Sequence, residues 1–252
     1  MSRETPVGLG PTVAPAARPA PILALDVGSA DEAFALVARV PRASFFKVGL
    51  QLYTAAGPDI VRRLKGEGFR VFLDLKFHDI PNTVAGAVRS AGCLGVDLLT
   101  VHASGGPSML LAAADAARSA SAPTRIFAVT VLTSLGTAEL ARSWGRTAVS
   151  AAEEAARLAA LADEAGADGV VTSVHEVAAI RAATRPDFPV LTPGIRLEGD
   201  GPGDQSRIAT PADAARAGVD YCVIGRTVTA APDPAEAYER VLAEISPSRV
   251  GS

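Results

Sequence analysis

The sequence predicts an α/β protein built as a (β/α)8 barrel in a single domain. Three observations carry that expectation. The chain has 252 residues, a usual length for one such barrel. Eight short apolar runs alternate with Ala-rich stretches of helical length. Several of those runs end in a conspicuous polar or charged residue, and in a barrel strand ends converge on one face. An open doubly wound sheet is the rival architecture.

The elements follow in order. Residues 1–20 are rich in Pro, Ala and Gly but lack the apolar core of a signal peptide, so a poorly ordered extension is expected there. The barrel domain is expected over residues 21–246, with residues 247–252 as a tail. The strands are expected at 21–26, 44–49, 69–74, 96–101, 125–131, 168–172, 188–192 and 220–224. Between them, helices are expected at 31–40, 54–67, 82–93, 108–119, 148–165, 174–183 and 211–217, with a last one at 233–245.

Composition narrows the function classes. Hydrophobic residues make up 48% and charged residues 20%, as in a water-soluble core-forming chain, and the net charge of −3 gives no general attraction to nucleic acid or membranes. No apolar run approaches the roughly 20 residues needed to span a bilayer. Cys93 and Cys222 each lie in an apolar, core-like setting, which predicts reduced thiols in a cytoplasmic protein. His78, His102 and His175 are scattered without metal-ligand spacing, so no metal site is expected.

The most informative stretch is 71–83, Val-Phe-Leu-Asp-Leu-Lys-Phe-His-Asp-Ile-Pro-Asn-Thr. Asp74 and Lys76 are two apart in an expected strand, so both leave on one face, with Leu73 and Leu75 on the other. Asp79 follows just past the strand end. Ionised side chains placed together are costly unless partners, water or a charged ligand satisfy them. Asp26, Lys47, His102, Thr133 and Arg226 mark further strand ends. Taken singly, a strand-end Asp is an ordinary helix cap, and His102 can simply bond backbone near the rim.

Two later runs have the chemistry of a phosphate site. Residues 190–196 read Val-Leu-Thr-Pro-Gly-Ile-Arg, and residues 223–227 read Val-Ile-Gly-Arg-Thr. These fall at the seventh and eighth strands, whose following loops hold phosphate in many barrels. Gly225 lets backbone approach an anion, while Arg196 and Arg226 can make charge-assisted bonds. The Gly-rich stretch 197–207 between them reads as a lid, with Gln205 as a side-chain donor.

With these residues assembled, the chain resembles the orotidine 5′-phosphate decarboxylase family from about Pro21 to Ile245. The motifs that carry the resemblance are Leu-Ala-Leu-Asp (23–26), Phe-Lys-Val-Gly (46–49), the 72–83 run, Val-His-Ala-Ser-Gly-Gly (101–106), Val-Leu-Thr-Ser (131–134), Thr-Pro-Gly-Ile-Arg (192–196), Gly-Asp-Gln (203–205) and Val-Ile-Gly-Arg (223–226). The Ile-Pro-Asn-Thr ending of the central run separates it from related sugar-phosphate barrels that share Asp-x-Lys-x-x-Asp. The resemblance implies cofactor-independent conversion of orotidine 5′-monophosphate (OMP) to UMP. It also implies a catalytic network of Lys47, Asp74, Lys76 and Asp79. Asp26 and Lys47 would bind ribose, with Lys47 also holding Asp74, and Thr133 would contact the pyrimidine. Arg196, Gln205, Gly225 and Arg226 would hold the phosphate. The same resemblance implies a homodimer in which Asp79 and Thr83 reach the partner's site. Flanked by two aspartates, Lys76 is expected to keep its charge, which suits it to stabilise and then protonate a carbanion. A sugar-phosphate lyase on the same barrel and a non-catalytic UMP-binding barrel are the rival readings.

Overall fold

Eight parallel strands close into a barrel in the order β1 to β8 in this computed structural model, which describes residues 18–119, 124–200 and 207–246. The strands are β1 (Ala20–Ala24), β2 (Phe45–Gly49), β3 (Arg70–Phe77), β4 (Leu98–His102), β5 (Arg125–Val129), β6 (Gly169–Val171), β7 (Val190–Ile195) and β8 (Tyr221–Ile224). β8 returns to pair with β1, Ala20 opposite Tyr221 and Leu23 opposite Ile224, so no strand edge is left open. The (β/α)8 expectation holds, and the open sheet is excluded by that last pairing.

The helices are α1 (Ala30–Arg39), α2 (Leu50–Ala56), α3 (Asp59–Gly66), α4 (Pro81–Gly92), α5 (Pro107–Arg118), α6 (Thr137–Ser143), α7 (Ala151–Glu164), α8 (Val177–Ala183), α9 (Pro211–Ala217), α10 (Arg226–Thr229) and α11 (Pro234–Ile245). Three departures from the sequence expectation are local. The helix expected at 54–67 is split into α2 and α3, because Gly57 takes a positive φ of 64° and Pro58 follows it. Helix 174–183 begins as a 3-10 turn at Val174–Glu176 before α8. The short α6 lies between β5 and α7, outside the helices expected from the sequence. The residues expected to form the N-terminal extension and the C-terminal tail lie, apart from Arg18 to Ala20, outside the described residues.

Two apolar cores result from strand alternation. Inside the barrel, Ile22, Phe45, Phe72, Leu98, Phe127, Val129, Leu191 and Val223 form one cluster. Outside it, the other strand faces pack on the helices through residues such as Leu23, Phe46, Leu73, Leu99, Ile126 and Ile224. Phe72 and Phe127 are fully buried, and each contributes about 1.5–3 kcal/mol by leaving water. The N-terminal end of the barrel is closed by Tyr221, whose ring meets Phe45 and Phe127 edge-on and whose hydroxyl accepts from Arg125 at 2.8 Å.

Strand register is reinforced by a repeated device that went unread in the sequence. Gly95-Val96-Asp97, Gly166-Ala167-Asp168 and Gly218-Val219-Asp220 each precede an even-numbered strand. Each glycine has positive φ. Each aspartate then accepts, at 2.8 Å, the backbone N–H of Val71, Ile126 or Val190 at the start of the preceding strand. A carboxylate thus satisfies a ladder donor that parallel pairing leaves open.

Candidate active site

The C-terminal ends of the strands surround a cleft of about 450 Å³, within the range of small-molecule sites. Its floor is the top of the inner core: Phe72, Val171, Leu191 and Val223 all face it. Asp26, Lys47, Asp74, Lys76, Thr133, Arg196, Gly225 and Arg226 line its walls together. Those groups come from β1, β2, β3, β7, β8 and the loop after β5, so barrel closure collects them.

Lys47 is 9% exposed, and its Nζ donates to Asp26 Oδ1 at 2.6 Å. The backbone makes room for that pair: a Cβ on Gly49 would stand 2.9 Å from Lys47 Nζ and 3.3 Å from Asp26 Oδ1. A side chain there would push the lysine out of place. Lys47 is therefore engaged with Asp26 in this structure, while Asp74 is held by other residues.

Lys76 Nζ donates to both carboxylate oxygens of Asp74, each at 2.8 Å. Strand alternation anticipates that both side chains share a face, yet the backbone between them is not a regular strand. Lys76 has φ 51°, which no other non-glycine residue among those described matches in sign. Pairing of β3 with β4 jumps from Leu73–Leu99 to Phe77–Val101, a register shift spanning the pair. The two side chains meet because β3 bulges over Thr100. Thr100 is completely buried; its hydroxyl donates to Asp74 Oδ1 at 2.9 Å and accepts the Lys76 N–H at 2.9 Å.

Asp79 and Thr83 are exposed and do not line this cleft. Asp79 caps its own turn by accepting from the Ile80 N–H at 2.6 Å, and Ile80 itself is 67% exposed. Gln205 and the central part of the expected lid lie outside the described residues. His102 stands beside the site with its ring 5.3 Å from that of His78. Burial lowers its pKa, helped by His78 and Lys76 and opposed by Asp74. Cys222 is buried as expected, with its thiol pKa raised to about 12 by burial. Cys93, expected in a core setting, is exposed, because it caps the C-terminus of α4 beyond the packed face.

Sequence reasoning missed a second buried polar group beside the cleft. Glu176, 2% exposed, accepts from Thr172 Oγ1 and from the Ser173 N–H, and forms an ion pair with Arg207. Arg207 also donates to the Leu132 carbonyl at 2.9 Å, one residue before Thr133. It thereby joins the far end of the Gly-rich stretch to the loop after β5. Among the described residues, no group of three His, Cys, Asp or Glu side chains is placed to share a metal ion. No helix among them is long and apolar enough to cross a membrane.

A closed parallel barrel whose strand ends converge charged side chains on one cleft defines a (β/α)8-barrel enzyme. Comparison with known proteins narrows the class. The chain belongs to the orotidine 5′-phosphate decarboxylase / HUMPS family, whose profile matches residues 19–241. It is 53% identical over 230 residues to orotidine 5′-phosphate decarboxylase of Moorella thermoacetica, covering 89% of this chain and 91% of that one. It is 47% identical over 225 residues to the enzyme of the same name from Gloeothece citriformis, covering 89% and 97% of the two chains. The crystal structure of orotidine 5′-phosphate decarboxylase from Lactobacillus acidophilus superposes with a TM-score of 0.80 at 35% identity, over 91% of this chain and all of that one.

Proposed function

We propose that this chain decarboxylates orotidine 5′-monophosphate to UMP and CO2 in pyrimidine biosynthesis, with Lys76 as the proton donor and no cofactor. The observation that carries the reading is the Asp74–Lys76 pair, at 2.8 Å in the same cleft as Arg196 and Arg226. Arg196, Arg226 and the backbone at Gly225 hold the phosphate, joined by Gln205. Asp26 and Lys47, already paired, bind the ribose hydroxyls, and Thr133 contacts the pyrimidine. The substrate carboxylate then lies next to Asp74.

Loss of CO2 breaks the bond between the carboxylate and C6 of the ring, and the electron pair stays on C6 in an orbital the ring delocalises poorly. The Lys76 ammonium faces that charge. At about 4 Å and an effective dielectric near 20, the attraction is on the order of 4 kcal/mol. Lys76 then gives a proton to C6 and regains one from solvent. Asp74 opposes the bound carboxylate and orients the ammonium; the first effect is ground-state destabilisation, the second is positioning.

The protein works as a cytoplasmic homodimer in this reading, in keeping with two free thiols. Asp79 and Thr83, exposed and away from their own cleft, complete the partner's site. Exposed Ile80 and Leu50 supply apolar surface for the contact.

The test is a spectrophotometric OMP decarboxylation assay with and without chelator. Turnover should be indifferent to chelator, and Lys76→Ala should lower kcat by at least about 10³-fold with the fold retained. Retention of more than about a tenth of kcat in that variant would remove Lys76 from the chemistry. Turnover of a keto-sugar phosphate that needs a divalent metal, with none of OMP, would favour the rival lyase reading. Mixing Lys76→Ala with Asp79→Ala subunits should restore up to about a quarter of wild-type activity, since half the dimers are mixed and each has one intact site. No recovery on mixing would place Asp79 in its own subunit's site.

A further inference from the structure

We infer that Thr100 is a positioning residue, whose hydroxyl locks the Asp74 carboxylate and the Lys76 main chain into one working arrangement. The inference rests on the roles proposed above for Asp74 and Lys76, and adds the residue that sets their geometry.

Between the paired positions Leu73–Leu99 and Phe77–Val101, β3 has three residues where β4 has one. That one is Thr100. With ladder pairing suspended there, the Lys76 N–H has no carbonyl on β4 to meet, and the Thr100 hydroxyl accepts it instead at 2.9 Å. The same oxygen donates to Asp74 Oδ1 at 2.9 Å. One hydroxyl has one proton to give and lone pairs to accept with, so both bonds can stand together. The Thr100 side chain is wholly buried, so water does not reach the hydroxyl that makes both bonds.

The backbone at Lys76 explains why such a clamp is needed. A non-glycine residue at φ 51° is strained and persists only where its surroundings over-determine it. The hydroxyl supplies one of those constraints directly at the strained residue. On β4 the inward series runs Leu98, Thr100, with Leu98 in the inner core. A polar side chain one step above that apolar layer serves the bulge, since an apolar one would fill the barrel equally well.

The test compares Thr100→Val, which keeps the β-branched shape and deletes the hydroxyl, with Thr100→Ser, which restores it. Steady-state OMP decarboxylation and thermal melting are measured alongside Lys76→Ala. Thr100→Val should lose about 10–100-fold in kcat with KM changed by less than about threefold, since misplacement acts on the chemical step. Thr100→Ser should recover kcat to within about threefold of wild type. Should the Val protein not fold, Thr100→Ala replaces it, and Ser must exceed Ala at least about tenfold in kcat. A Val protein within about twofold of wild-type kcat, a loss confined to KM, or a Ser protein no better than Val or Ala would overturn the inference. An active Lys76→Ala would instead remove the reading on which it rests.

Discussion

Replacing Glu176 by alanine tests how the cleft is supported from behind. The carboxylate is 2% exposed and serves three groups: the Thr172 hydroxyl, the Ser173 N–H at 3.1 Å and the Arg207 guanidinium. Burial lowers the Arg207 pKa from its ordinary value, a sign that water does little to stabilise the charge. Removing one partner of a buried pair leaves the other charge uncompensated, at about 3–5 kcal/mol. The stranded Thr172 hydroxyl adds about 1 kcal/mol. The sum is a large fraction of the roughly 5–15 kcal/mol that holds a domain folded. Glu176→Gln keeps an acceptor for Ser173 and Thr172 but still leaves the Arg207 charge uncompensated, so it should be milder than alanine by only about 1 kcal/mol. Urea unfolding followed by circular dichroism at neutral pH reads both variants, with m unchanged and the midpoint lowered. A loss below about 1 kcal/mol for the alanine variant would show that this pair does not support the barrel.

Two further outcomes follow from the same geometry. Arg226→Ala should lower kcat/KM for OMP by about 10–200-fold, the worth of a charge-assisted bond to phosphate; an unchanged value would place the phosphate elsewhere. His102 has its folded pKa lowered from the ordinary 6.5, first by burial. On acidification the unfolded chain therefore takes up this proton before the folded one does. The contribution is complete above the unfolded pKa and is lost as pH falls through it toward the folded value. The two proteins differ only at this ring, so the comparison isolates it: His102→Gln should show a shallower fall in Tm between about pH 7.5 and 5.5. Equal slopes would mean that the ring is not desolvated in solution.

Much of the site was legible because its residues carry local signals. Asp26, Lys47, Asp74 and Lys76 stand at the ends of apolar runs, and Gly225-Arg226 closes one. Thr100 and Glu176 were not read, although Thr100 left a trace. Thr100 is a polar residue on the inward face of Leu98-Leu99-Thr100-Val101, where period two calls for an apolar one. The Gly-x-Asp triplets before β4, β6 and β8 repeat in plain sight, but their meaning depends on which backbone N–H lies next door. α2 and α3 were merged because an amphipathic pattern continues across Gly57-Pro58 while the backbone does not.

By itself, the amino-acid sequence determined the alternation of strands and helices, the inward and outward faces, and the charged residues at the strand ends. Those properties depend on neighbours a few positions away, through the two-residue and 3.6-residue periods. The tertiary structure alone decided that Lys47 pairs with Asp26, that β3 bulges to bring Lys76 back onto Asp74, that Thr100 bonds both, and that Arg207 ties Glu176 to the loop after β5. Apart from the Asp74–Lys76 pair, which the bulge against β4 sets, those contacts cross between strands or loops far apart in the chain. The register of barrel closure sets them, and no local pattern in the chain encodes that register.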